Sequence, residues 1–106
     1  MQPEPYTYHA IVTEVIDGDT IKVNVDLGMG VTMTRQTIRL SDVMAPELRE
    51  ERGPAAAEYL RKLVFGQWVL IKTKRKEKYG RWPGDVYASG VSVNAAMNEW
   101  IKAGSG

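Results

Sequence analysis

Between Tyr8 and Val43 three apolar–polar segments follow one another with turn residues between them, a spacing that short antiparallel strands satisfy. Ile11, Val12 and Val15 mark the first segment. Thr20-Ile21-Lys22-Val23-Asn24-Val25 marks the second. Its period of two puts every other side chain on one face of a strand. The third, Thr32 to Val43, is rich in β-branched residues and carries Ile38 and Leu40. Asp17-Gly18 separates the first pair of segments, and Gly28 and Gly30 punctuate the second. A three-stranded meander is expected, after a loose lead-in over residues 1–7.

After Pro46 the pattern changes. Gly53-Pro54 suits a helix start, because proline fits the first turn. Ala56, Leu60, Leu63 and Val64 then share one helical face, and Glu58 and Lys62 are spaced to pair on another. Gly66 suits the helix end. Trp68-Val69-Leu70-Ile71 is a continuous apolar run, expected to be a strand buried on both sides. Asp85–Ala88 and Val91–Val93 flank Ser89-Gly90 as a hairpin, and Asn94 is placed to cap a last helix through Trp100 and Ile101. Residues 104–106 read as a frayed end. Trp82-Pro83-Gly84 is an awkward strand start, because proline donates no ladder hydrogen bond. With no repeat or linker, the 106 residues read as one domain. A chain of this size buries roughly 65% of its unfolded surface, enough for one core without a metal or disulfide staple. The expected class is mainly β (α+β), a small, partly open barrel with packed helices.

Composition excludes several chemistries. There is no cysteine and one histidine, His9. Thiol nucleophiles, disulfide frameworks and Cys-rich zinc sites are ruled out, and a Ser-His-Asp arrangement would have to use His9. What remains is carboxylates, arginine, lysine, tyrosine and hydroxyls, with room for a hard cation that prefers oxygen ligands. No apolar run approaches the roughly 20 residues of a membrane span. Met1–Tyr8 is polar and proline-bearing, so no signal peptide is expected, and a cytoplasmic setting is favoured.

The net charge of +1 conceals an asymmetry. Lys72 to Arg81 holds six basic side chains and one acid, a local +5, which leaves −4 over the remainder. Such a segment attracts phosphates, although a solvated strand end and turn would have the same composition.

Three short clusters bear candidate chemistry: Ile16-Asp17-Gly18-Asp19-Thr20, the stretch Arg39 to Glu47, and Lys78-Tyr79-Gly80-Arg81. Each alone fits a surface turn. In this order and spacing, with the Val86–Asn94 hairpin following, they resemble the staphylococcal nuclease (thermonuclease) family over roughly Tyr8 to Ala103. Asp26-Leu27-Gly28-Met29-Gly30 is further similar to the small bacterial and phage-associated members. The resemblance implies a five-stranded OB-fold-type barrel with two packed helices, and Ca²⁺-assisted hydrolysis of DNA and RNA phosphodiesters. It implies that Asp19 ligates the cation by its carboxylate and Ala45 by its backbone carbonyl. Glu47 would act on the attacking water, Arg39 and Arg81 would clamp the reacting phosphate, and Lys78 and Tyr79 would hold a neighbouring one. Asp17 would be a turn residue supporting Asp19. The residue types suit the chemistry: guanidinium groups are permanent bidentate donors for the charge that builds on phosphate oxygens. The expected partner is single-stranded DNA or RNA, with no membrane, and the expected state is a monomer.

One position departs from the family pattern. Met44 stands where a second metal-ligating aspartate is expected, and a thioether is a poor ligand for a hard cation. If the strand stayed regular, Asp42 would share a face with Met44 at about 6.6–6.8 Å, too far to replace it directly. Met44 could equally fill the core. The alternative function is a non-catalytic nucleic-acid-binding OB-type module with a degenerate metal site. Tyr59, Trp68 and Trp100 are expected to be core or edge residues rather than base-stacking platforms.

Overall fold

The computed structural model describes residues 6–73 and 80–105. In chain order these form β1 (Tyr6–Asp17), β2 (Thr20–Gly28), β3 (Val31–Leu40), α1 (Gly53–Val64), β4 (Trp68–Thr73), β5 (Arg81–Ala88), β6 (Val91–Ser92) and α2 (Val93–Ser105). The expected meander is present, with β1, β2 and β3 paired antiparallel. β1 begins inside the expected lead-in, because Tyr6 and Thr7 pair with Thr73 and Lys72 of β4. α2 likewise extends through Gly104 and Ser105.

The strand order is β3-β2-β1-β4-β5-β6, and a parallel pairing of β3 with β5 joins Thr37–Leu40 to Arg81–Gly84. The five longer strands therefore form a closed barrel rather than a partly open one. Closure demands strong coiling, and bulges supply it. Thr13 and Ile16 are extra residues on β1 relative to β2. Pro83 is tolerated because it lies in the β3 pairing, while the β4–β5 ladder begins at Gly84.

The period-two reading of β2 holds. Ile21, Val23 and Val25 point inward and meet Val12, Val15, Ile38, Leu40, Ile71 and Val86. β4 differs from expectation: Val69 and Ile71 are buried but Trp68 is exposed, so this strand is covered on one side only. Its apolar run reads as two-sided because Trp68 sits at the exposed strand start. The β2–β3 tip leaves Leu27, Met29 and Val31 exposed, with Met29 at φ 54° between two left-handed glycines.

α1 opens at Gly53-Pro54 as expected and buries Ala56, Ala57, Leu60 and Val64. The ion pair on its outer face is Glu58–Arg61 at 3.0 Å, one residue shorter in spacing than the expected Glu58–Lys62. Tyr59 stacks on Trp100 of α2 with ring centroids 5.6 Å apart, and Arg52 lies 4.4 Å over the Trp100 ring. Both rings thus join the helices to each other, in line with their reading as core or edge residues.

Asn94 does not cap α2. The Ser92 hydroxyl accepts the Ala95 N–H at 3.1 Å and does so instead. Asn94 is buried and works across the barrel: its carbonyl oxygen accepts the Val86 N–H at 2.9 Å, and its amide donates to the Gly84 and Ser41 carbonyls at 3.1 and 3.0 Å.

Candidate active site

The β1–β2 turn presents the first acidic pair. Asp17 accepts the Asp19 N–H on Oδ1 at 3.1 Å, the short side-chain-to-backbone bond that makes Asp a turn residue. Gly18 is required by close approach: a Cβ there would sit 2.7 Å from the Ala45 Cβ and 2.8 Å from the Ala56 Cβ. The turn is thus pressed against both the loop after β3 and α1.

That contact places Asp19 among residues far away in sequence. Its Oδ1 accepts the Thr20 hydroxyl at 3.0 Å, and its Oδ2 accepts the Ala45 N–H at 3.3 Å. The Arg39 guanidinium approaches Oδ2 at 3.7 Å. The Asp19 carbonyl also accepts the Leu40 N–H at 2.8 Å, so backbone and side chain both hold the turn to the end of β3. Burial first, and then the neighbouring Asp17, raise the Asp19 carboxyl above its ordinary value, while Thr20 and Arg39 partly offset this. A carboxylate made uncomfortable as an isolated anion gains more from an added cation.

β3 ends at Leu40, and Asp42 takes a left-handed φ of 59°. The regular-strand relation between Asp42 and Met44 therefore does not arise. Met44 is 78% exposed, which rules out core filling, and its Sδ lies 3.7 Å from Arg39 Nη2. Arg39 also donates to the Val43 carbonyl at 3.4 Å. Asp19, Arg39, Met44 and Ala45 are thereby brought together at one end of the barrel.

Glu47 lies two residues further along the same loop. Its carboxylate is well exposed and pairs with Arg49 at 2.7 Å. Its backbone is held, because the Glu47 carbonyl accepts the Glu50 N–H and packs so closely on Gly53 that any Cβ there would overlap it. Arg81 opens β5 opposite Thr37. Residues paired across a ladder share a face, so Arg81 projects on the same side as Arg39, two residues along β3. Lys78 and Tyr79 lie outside the described residues. Among the described residues, no three acids or histidines converge as a ready-made metal cage. The oxygen donors that these contacts bring together are the Asp19 carboxylate and, through Arg39, the Val43 carbonyl, a hard but sparse set that fits a weakly held hard cation.

Neither the Gly18 contact nor the Asn94 lock was identified from sequence. Asp-Gly signals a turn without saying what packs on it, and Asn94 carried a capping signal that tertiary hydrogen bonding overrides.

A closed five-stranded barrel with an acid–guanidinium cluster at its first hairpin turn defines the OB-type class with packed helices. Residues 37–104 match the family model described as staphylococcal nuclease homologue. The chain is 36% identical over 98 residues to an uncharacterized endonuclease of Escherichia coli O157:H7, covering 92% of this chain and 58% of that protein. It is 42% identical over 79 residues to a micrococcal nuclease of Shigella flexneri, covering 73% and 41% respectively, and 38% identical over 95 residues to the protein ParB of Escherichia coli, covering 81% and 50%. The chain belongs to the staphylococcal nuclease homologue family. It spans about half the length of the curated relatives it matches. No described helix is long and apolar enough to cross a membrane.

Proposed function

We propose that this chain is a nuclease hydrolysing DNA or RNA phosphodiester bonds, single strands first, as a monomer with Ca²⁺ assistance. The observation that carries this reading is the convergence of Asp19, Arg39 and the Ala45 backbone, three positions the family uses, within hydrogen-bond or ion-pair reach of one another. A barrel has no structural need to half-bury an acid beside a second acid and then answer it with an arginine.

Asp19 and the Ala45 carbonyl would hold the cation. When bound, it supplies Lewis acidity and charge neutralisation at the phosphate. Arg39 and Arg81, on one face, hold the non-bridging oxygens as negative charge builds. Glu47 turns from Arg49 to take a proton from the attacking water, which its exposed carboxylate is free to do. Lys78 and Tyr79 hold the adjoining phosphate. Calorimetry with Ca²⁺ tests the cation site directly. Met44→Asp adds one charge about 4 Å from a divalent ion, worth about 2 kcal/mol in water, so affinity rises roughly thirtyfold. In both proteins affinity falls as pH drops, because protons compete for Asp19. Its raised pKa makes that loss begin at a higher pH than an ordinary aspartate would impose. Equal affinity in the two proteins would place the cation away from Met44.

A second reading, a non-catalytic nucleic-acid-binding module, is favoured by the exposed Met44 where the family has an acid. Cleavage of single-stranded DNA with Ca²⁺ and with EDTA separates the two. The nuclease cleaves only with Ca²⁺; the module binds in both and cleaves in neither, even as Met44→Asp.

A further inference from the structure

The outer face of the β2–β3 ribbon carries cations beyond the Arg39 of the Asp19 cluster. Lys22 pairs with Thr37, and Arg39 with Thr20, while Arg81 pairs with Thr37 from the other side. Ile21, Val23, Ile38 and Leu40 fill the inner face. Lys22, Arg39 and Arg81 therefore leave the barrel on one side. The helices pack elsewhere, on β1, on β5 and on each other.

One step further from Asp19 the ribbon is bulged. Asn24 alone stands opposite two residues, Thr34 and Arg35. Arg35 is left-handed at φ 56°, and the side-chain Oδ1 of Asn24 accepts its N–H at 3.0 Å. A left-handed non-glycine residue is costly, and bulges re-aim side chains. Here the strain sets an exposed arginine at the bulge, opposite Asn24, which alternates with the inward-facing Val23 and Val25. Two acids lie nearby. Glu14 stands opposite Lys22 on β1, and Asp26 accepts the Gly28 N–H. Among the described residues neither Lys22 nor Arg35 is engaged in an ion pair. The two cations follow Arg39 at steps of about 6.6–6.8 Å per residue pair, a scale suited to successive phosphates of an extended strand.

We propose that Lys22 and Arg35 form a phosphate track along the outer face of the β2–β3 ribbon, holding single-stranded nucleic acid that extends beyond the phosphate clamped by Arg39 and Arg81. The proposal rests on the nuclease reading for the place of the reacting phosphate. The track makes the protein favour long strands over dinucleotides, because only a long strand reaches both sites.

The test is anisotropy of a labelled long oligothymidylate, in EDTA, over a range of salt. Lys22→Gln with Arg35→Asn removes both charges, and asparagine tolerates the left-handed backbone. Each lost single-strand phosphate contact removes about 0.7 from the log–log salt slope, so the slope shallows by about 1.4. Affinity at low salt falls roughly tenfold. Lys62→Ala with Lys102→Ala, an equal charge loss on the helices, keeps the wild-type slope. An unchanged slope in the ribbon variant, the same fall in the helix variant, or no binding by the wild type overturns the track. Cleavage of the same strand with Ca²⁺ is scored in parallel. A shallower slope without wild-type cleavage removes the nuclease reading and keeps the track, and cleavage with an unchanged slope does the reverse.

Discussion

Arg81→Ala lowers kcat for single-stranded DNA by roughly 10²–10³, while the fold and Ca²⁺ binding persist. Arg81 starts β5 at the rim of the barrel, beside Thr37, and its backbone pairing does not need its guanidinium. The loss belongs to the transition state, worth about 3–4 kcal/mol, and appears in kcat. Arg81→Lys restores only part of it, because a point charge cannot hold two phosphate oxygens in a fixed plane. Arg39→Ala differs. Arg39 also neutralises Asp19 and binds the Val43 carbonyl, so its removal raises the Asp19 pKa further and loosens the loop that carries Ala45 and Glu47. Steady-state kinetics with Ca²⁺ calorimetry on both variants distinguishes the two: Arg81→Ala keeps the wild-type Ca²⁺ affinity and Arg39→Ala does not.

The second large effect is on stability. Asn94→Leu preserves size but leaves the buried Val86 N–H without its acceptor and strips one donor from the Ser41 and Gly84 carbonyls. Each orphaned buried group costs about 1–3 kcal/mol. The Gly84 carbonyl still accepts the Ser41 N–H, so the expected total is about 3–5 kcal/mol. For a domain of this size that lowers the melting temperature by roughly 15–30 °C. Ser41 begins the loop to Glu47, so the residual folded protein also loses activity. Asn94→Asp keeps the acceptor for Val86 but loses the donors, and it melts between the two. A melting temperature unchanged in Asn94→Leu would mean that α2 is held by Val93 and Met97 packing alone.

What could be read from the residues divides along sequence distance. The alternation of Thr20–Val25, the Asp17-Gly18 and Ser89-Gly90 turns and the Gly53-Pro54 helix start are local signals, and all four elements stand where they point. The parallel β3–β5 pairing that closes the barrel joins Thr37 to Arg81, and no turn chemistry announces it. Asn94 carried a local capping signal, but its hydrogen bonds reach Ser41 across the barrel. The same limit applies to the site. Asp19, Arg39 and Ala45 were legible as motif positions, and the fold brings them together. The Gly18 contact that seats the turn depends on Ala45 and Ala56, whose approach is tertiary. The Arg35 bulge has no sequence mark at all, since its extra residue appears only against Asn24 of the neighbouring strand.

The proposed mechanism has the loop after β3 activate water against a phosphate held on the Arg39–Arg81 face. Its most direct test is the single-turnover rate of single-stranded DNA cleavage at saturating Ca²⁺ for Glu47→Gln against wild type. Glutamine keeps the size and the backbone hold of Glu47 but cannot take a proton. Loss of general-base catalysis is expected to slow the rate by roughly 10²–10⁴, with DNA binding unchanged. An unchanged rate in Glu47→Gln would contradict the assignment.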